Sequence, residues 1–291
     1  MTASSLSPKS QFHDRSNNLP SRPYPLIQTC NEHLNCLRAS AEASSMLRHK
    51  IGGLQDLIES VEKLIQLPLI QDALLHELDE LLDGSLRLLD VCSAAKDALL
   101  HTKECTRELQ SIIRRRKRGG ELELITTEVK RFSSSRKVVQ KAISKALANL
   151  KATSQNCNIS SSTNRYHRTA AIITLLKDVE VVTLSTFQIL LQYISGTPHS
   201  KSNSWLSISK LIQPKRVGCS SLVAYGSEFA QVDLALQCFM FSKTTKSEGI
   251  KNLQNQLEKM ESCIQDLEEG LEFLFRRLIK IRVFLLNILN H

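Results

Sequence analysis

The stretch IKNLQNQLEKMESCIQDLEEGLEFLFRRLIKIRVFLLNILN, residues 250–290, decides the fold. Within it Ile250, Leu253, Leu257, Met260, Ile264, Leu267, Leu271, Leu274, Leu278, Ile281, Leu285 and Ile288 follow one another at steps of three and four. That alternation places these apolar side chains in one line along an α-helix roughly 60 Å long. Lys251, Glu258, Glu261, Gln265, Asp266 and Glu268 cover the other faces. A helix draws most of its stability from packing its apolar stripe, so this one needs a partner surface. The pattern predicts a helix over 247–290 with Ser247 as its cap.

A second run of the same kind occupies 69–118. Leu74, Leu78, Leu81, Ser85, Leu88, Cys92, Ala95, Leu99, Thr102, Thr106, Leu109 and Ile113 again fall at alternating fours and threes. Leu75, Leu82 and Leu89 widen the stripe to the breadth of a bundle helix. Gly84 sits inside it at a cost of about 1 kcal/mol relative to alanine, which a close helix–helix approach would explain. Gly119-Gly120 supplies the stop.

Shorter segments fill the remainder. Residues 1–25 form a disordered lead-in that ends in Pro20, Pro23 and Pro25, the last suited to a first helical position. One helix is expected from Pro25 to about Lys50 and another from Ile51 to Gln66, with Gly52-Gly53 at the junction. Glu121–Lys151 reads as an amphipathic helix with Ile125, Val129, Phe132, Val139, Ile143, Ala146 and Leu150 inward. Loops are expected near 152–165 and 196–204, a helix over 166–195, a short one over 205–213, and another over about 222–243. The sum is an all-α fold: an elongated helical bundle of two long helices (about 69–118 and 247–290) with shorter packed helices, 26–291 forming a single helical domain.

Ten glycines, seven prolines and 5% aromatic residues argue against an all-β fold, which needs turns and β-formers. The formal charge of +9 is uneven: residues 103–151 hold fourteen Lys/Arg against five Asp/Glu, so the rest of the chain is neutral overall. Eight cysteines are scattered without a C-x-x-C pair, and residues 1–25 contain no apolar signal core. The expectation is reduced thiols in the cytoplasm, with nuclear and plastid addresses set behind it. The most apolar stretch, 170–194, is interrupted by Lys177, Asp178 and Glu180 and is too short between charges to span a bilayer.

Arg114-Arg115-Arg116-Lys117-Arg118 is the densest charge run. It reads as cations complementing a helix C-terminus, as a contact for an anionic surface, or as a nuclear-import signal. Phe132 is the only aromatic residue between 103 and 151, which disfavours nucleic acid as a partner because single strands are held by stacking. His76-Glu77 lacks a second histidine one turn on, and no histidines stand at i, i+3 or i+4, so no metal or cofactor is expected. No phosphate loop or nucleophile elbow occurs, which points away from an enzyme. Near the C-terminus Arg276, Arg277, Lys280 and Arg282 stand beside Phe273, Phe275, Val283, Phe284 and Leu286, a basic amphipathic helix suited to an anionic membrane surface or to a core.

Four ordered blocks, Leu19–Pro25, Leu81–Cys92, Leu109–Arg116 and Leu274–Leu289, resemble the plant-specific "domain of unknown function 241" family, which includes the BYPASS-type proteins. The resemblance spans nearly the whole chain. It implies a land-plant protein without known enzymatic activity, in a family linked to root and shoot development. Together with the long apolar stripes it leads to the expectation of a helical protein that acts through protein partners. The family motif on the C-terminal helix falls on Arg276, Arg277, Leu278, Arg282, Leu285 and Asn287. Membrane-associated relatives sustain the alternative of a peripheral membrane protein using that helix. Phe284 stands where relatives commonly carry serine or threonine, which makes this helix more apolar.

Overall fold

The computed structural model of the chain describes residues 25–39, 47–75, 77–116, 122–156, 167–196, 227–241 and 246–290. Among them are eight helices and no strands: α1 (Pro25–Ala39), α2 (Leu47–Ile65), α3 (Pro68–Leu74), α4 (Leu78–Arg116), α5 (Leu122–Asn156), α6 (His167–Ser195), α7 (Glu228–Phe241) and α8 (Lys246–Leu289). The two long elements of the expected bundle are α4, 39 residues, and α8, 44 residues. The lead-in before Pro25, the helix expected over 205–213 and most of the loop near 196–204 lie outside the described residues.

All twelve seam residues of α8 are buried, from Ile250 to Ile288, and Leu253, Leu257, Met260, Ile264 and Leu271 have no exposure at all. They pack chiefly against α4, α7 and α2. α4 runs antiparallel to α8, and the register is marked by a ladder of ion pairs along the rim: Lys96–Glu272 at 2.7 Å, Lys103–Glu268, and Arg107–Glu261 at 3.2 Å. One turn before the first rung on α4, the Cys92 thiol donates to the carbonyl of Leu271 at 3.8 Å. α2 runs parallel to α8 on its other flank, joined through Arg48–Asp266, Gln55 to the Gly270 carbonyl at 3.3 Å, and Arg277 to Glu59 and Glu62. α5 and α6 complete the bundle against α4, and α1 closes over α2 and α6.

The polar members of the α4 seam satisfy themselves locally. Thr102 donates to the Ala98 carbonyl and Thr106 to that of Thr102, both at 2.7 Å, and Ser85 donates to Leu82 at 2.7 Å. Back-bonding of this kind lets small hydroxyls occupy a dry seam without an unpaired donor. Gly84 marks the expected close approach: a β-carbon there would lie 2.6 Å from Glu180 Oε2 of α6. Glu180 is held in place by a fork from Arg87, whose Nε and Nη2 reach Oε1 at 2.9 and 2.7 Å.

Four boundaries differ from the reading of the sequence. The long second element does not begin at residue 69. α3 ends at Leu74, and α4 starts at Leu78, with Glu77 N–H bonded to the Leu74 carbonyl and Leu81 N–H to that of Glu77. Asp79 and Glu80 in the first turn complement the positive end of α4, and Lys177 of α6 pairs with Glu80 at 2.8 Å. α3 thereby turns aside to bury Ile70 and Leu74, leaving Leu75 exposed rather than in the stripe. Gly52 and Gly53 lie inside α2, not at a junction, and Gly53 faces Leu37 of α1 where a β-carbon would meet it at 3.2 Å. α5 continues to Asn156, so residues 152–156 are helix and not loop. Ser247 falls inside α8, which begins at Lys246, and is not its cap.

Two substitutions test this packing. Leu271→Asp places a carboxylate in the dry seam and is expected to lower stability by at least about 4 kcal/mol in chemical denaturation; an unchanged melting temperature contradicts the register. Gly84→Ala, worth about 1 kcal/mol of gain in an open helix, is expected to lower the melting temperature here and to raise it in a Glu180→Ala background. A gain of equal size in both backgrounds would show that Glu180 does not crowd this turn.

Candidate anionic-surface interface

The charge excess of the sequence is resolved by the two faces of α5. Its inner row, Ile125, Val129, Phe132, Arg136, Val139 and Ile143, is buried throughout. Arg136 occupies the interval between Phe132 and Val139 that the apolar pattern leaves blank, and its side chain is only 3% exposed. Its guanidinium forks onto Asp233 of α7, Nε to Oδ1 at 3.1 Å and Nη2 to Oδ2 at 3.0 Å, and Nη2 also donates to the Ile194 carbonyl at 3.1 Å. Gln140 Nε2 adds bonds to the Ser195 carbonyl at 3.0 Å and to Asp233 Oδ2 at 3.2 Å. The cation thus meets both a carboxylate and the negative end of α6, a planar bidentate arrangement that lysine cannot reproduce. Gly196, at φ +75°, turns the chain out of α6 beside the backbone of Ala230.

The outer row is of opposite character. Lys130, Lys137, Lys141 and Lys145 fall at steps of seven, four and four, which puts them in one line on the solvent face, and all are exposed. Lys151 follows in the last turns. From Lys130 to Lys145 the line is roughly 22 Å long at 1.5 Å per residue. Between Glu128 and Asp178 the chain contains no aspartate or glutamate. Glu128 itself turns to Arg131 at 2.8 Å, and Arg131 also takes Glu108. Several cations on other helices have carboxylate partners, as at Lys96, Lys103 and Lys177; among the described residues the five lysines of α5 have none.

The candidate residues read from the sequence are placed as follows. Arg114 and Arg115 are exposed at the C-terminal end of α4, Arg114 donating to Gln110 Oε1 at 3.3 Å. The side chain of Arg116, and Lys117 and Arg118, lie outside the described residues. On α8, Leu278 and Leu285 are core, and Asn287 is exposed. Arg277 reaches Glu62 at 2.6 Å and Glu59 at 3.1 Å, with its guanidinium 4.9 Å above the Phe273 ring. Arg282 Nη1 donates to the Leu82 carbonyl at 2.7 Å and to Ser85 Oγ at 2.9 Å. Those two arginines clamp α8 to α2 and α4. Arg276 and Lys280 face solvent, Arg276 donating to Glu272 at 2.7 Å. Bonds from Lys96 and then Arg276 hold the Glu272 carboxyl below the usual range, as the bond from Lys63 and the charge of Arg277 do for Glu59.

Three buried thiols and one phenol are held in their neutral forms. Burial pushes the thiols of Cys30 and Cys92 up to about 11 and about 12, and that of Cys263 up to about 11. The Tyr193 phenol is raised as well, chiefly by burial and then by its contacts with Cys263 and Glu228. No group of three His, Cys, Asp or Glu able to hold a metal ion occurs among the described residues. A cavity of about 60 Å³ between α2, α4, α6 and α8 is lined by side chains such as Ile58, Leu88, Val179 and Ile281. That is far below the roughly 300–1,000 Å³ of ligand pockets.

The inner anchor of α5 has a direct test. Arg136→Met is expected to cost about 3 kcal/mol, because it strands Asp233 and the last carbonyls of α6, and Arg136→Lys to recover less than half of that loss. A chemical denaturation midpoint unchanged by either would show that the fork does not hold α5 to α7.

No helix among the described residues is long and apolar enough to cross a membrane. Neither the curated proteins nor the solved structures include one that matches this chain. A family model does: that described as Protein BPS1 matches residues 50–288, from the first turn of α2 to the last turn of α8, so the described bundle apart from α1 lies almost wholly within it. The chain therefore belongs to the BPS1 family, the "domain of unknown function 241" group that its sequence blocks resemble.

Proposed function

We propose that this chain is a non-enzymatic cytoplasmic regulator of plant root and shoot development that works by presenting helical surfaces to protein partners. Membership of the BPS1 family supports a regulatory role in plant development. The neutral, buried thiols and phenol support the absence of catalysis, since an activated nucleophile needs the opposite environment.

One observation carries the partner-binding reading. Ile279, Val283 and Leu286, at i, i+4 and i+7 on the outer face of α8, are 41%, 48% and 38% exposed, in a helix whose seam is otherwise fully covered. Leu86, on the α4 turn next to the anchor of Arg282, is 44% exposed. A short apolar strip bordered by Arg276 and Lys280 has the composition of a small protein interface: an apolar centre with a charged rim. Because Arg277 and Arg282 face inward, this end of α8 offers only two outward cations to a lipid headgroup layer. That balance favours a protein over a membrane on this helix.

The test compares tagged full-length protein with the variant Ile279→Gln/Val283→Gln/Leu286→Gln in root and shoot tissue. Wild type is expected to recover a reproducible set of proteins by quantitative mass spectrometry and to restore development in plants lacking the gene. The variant, with an unchanged melting temperature, is expected to lose both. Equal recovery and equal rescue by the two forms would overturn the assignment of the strip.

A further inference from the structure

We infer that the lysine row of α5 is a docking face for an anionic lipid surface, so that the bundle lies on a membrane through α5 rather than through its C-terminal helix. The argument starts from charge. Lys130, Lys137, Lys141 and Lys145 stand in one line, exposed and without carboxylate partners among the described residues, on a segment that contains no acid for its last seven turns. Lys63, Lys96, Lys103 and Lys177 of other helices are each paired with a carboxylate. The α5 face therefore keeps a net positive field that the described residues do not cancel.

The shape and residue chemistry of the face select the partner. It is built of lysine, a compact point charge that meets diffuse anionic layers without a preferred geometry, whereas directional recognition of phosphates and bases favours the planar fork of arginine. The one arginine on the buried side, Arg136, is committed to Asp233. Among the described residues no aromatic side chain interleaves with the lysines to stack a base; Phe132 points into the core. α5 is packed along α4 and against α6 and α7, so it does not stand proud as a helix entering a duplex groove must. What remains is a single-signed ribbon along one helix face, with Val138 and Ala142, both exposed, between the charges. A planar anionic bilayer fits that surface, each lysine near it adding about 1 kcal/mol of attraction. The face lies on a different helix from the apolar strip of α8, so the two assignments fail independently.

Full-length protein is mixed with vesicles of phosphatidylcholine, with and without 30 mol% phosphatidylserine, and bound protein is measured by flotation. Binding to the serine-containing vesicles alone is expected, falling steeply between roughly 50 and 500 mM salt as charges are screened. Lys137→Gln/Lys141→Gln/Lys145→Gln is expected to weaken it about a hundredfold, from about a factor of five per lysine, without moving the melting temperature. The corresponding triple arginine variant retains binding, and Arg276→Gln/Lys280→Gln leaves it within about twofold of wild type. Three results would overturn the inference: no binding to anionic vesicles at low salt, binding that the glutamine variant keeps, or tighter binding of wild type to a 20-base-pair DNA duplex or to polyglutamate than to the vesicles.

Discussion

Everything in this bundle depends on covering one uninterrupted apolar seam. α8 carries it for its whole length, and α4 provides the largest share of the opposing surface. Two long antiparallel helices with alternating three- and four-residue spacing pack side by side at a shallow angle, and that geometry fixes their register over many turns. The rim pairs Lys96–Glu272 and Arg107–Glu261 are half-exposed and contribute little energy each, but shifting the seam by one turn would break every rung at once. Register is thus specified by charge and stability by burial.

The helices around that pair are attached by a few buried polar joints. Arg277 and Arg282 of α8 reach opposite neighbours, α2 and α4, while Arg136 draws together α5, the end of α6 and α7. Arg87 and Glu180 do the same for α4 and α6, over the space that Gly84 leaves. Each joint satisfies its charge with a partner from another helix, so each identifies a unique neighbour in a way that leucine against leucine does not. This division of labour accounts for the inward use of residues that in isolation read as a basic membrane-facing helix.

Much of the fold was legible because period is a local property. The seam of α8 is buried residue for residue as the spacing implies, and so is the stripe of α4 from Leu78 onward except for Leu81, which is half-buried. The break at residues 75–77 was not legible, since Leu74 and Leu78 keep the same spacing across a turn as within a helix. Gly52-Gly53 reads as punctuation, but Gly53 is an accommodation to Leu37, a contact sixteen residues earlier in the chain. Arg136 left a trace, a missing apolar residue in the α5 row, yet its partner Asp233 lies far along the chain and only the packing reveals it. The densest basic run drew the sequence reading to 114–118, whereas the lysines spaced along α5 count fewer per residue and align only once the helix and its buried side are known.

The burial of the α8 seam can be measured directly by native-state hydrogen exchange. Amides from Leu253 to Leu285 are expected to exchange only through global unfolding, with the same protection and denaturant dependence as the Leu88–Leu109 segment of α4. Amides of α8 exchanging near the rate of an unstructured peptide, or opening with a much smaller denaturant dependence than α4, would contradict the account.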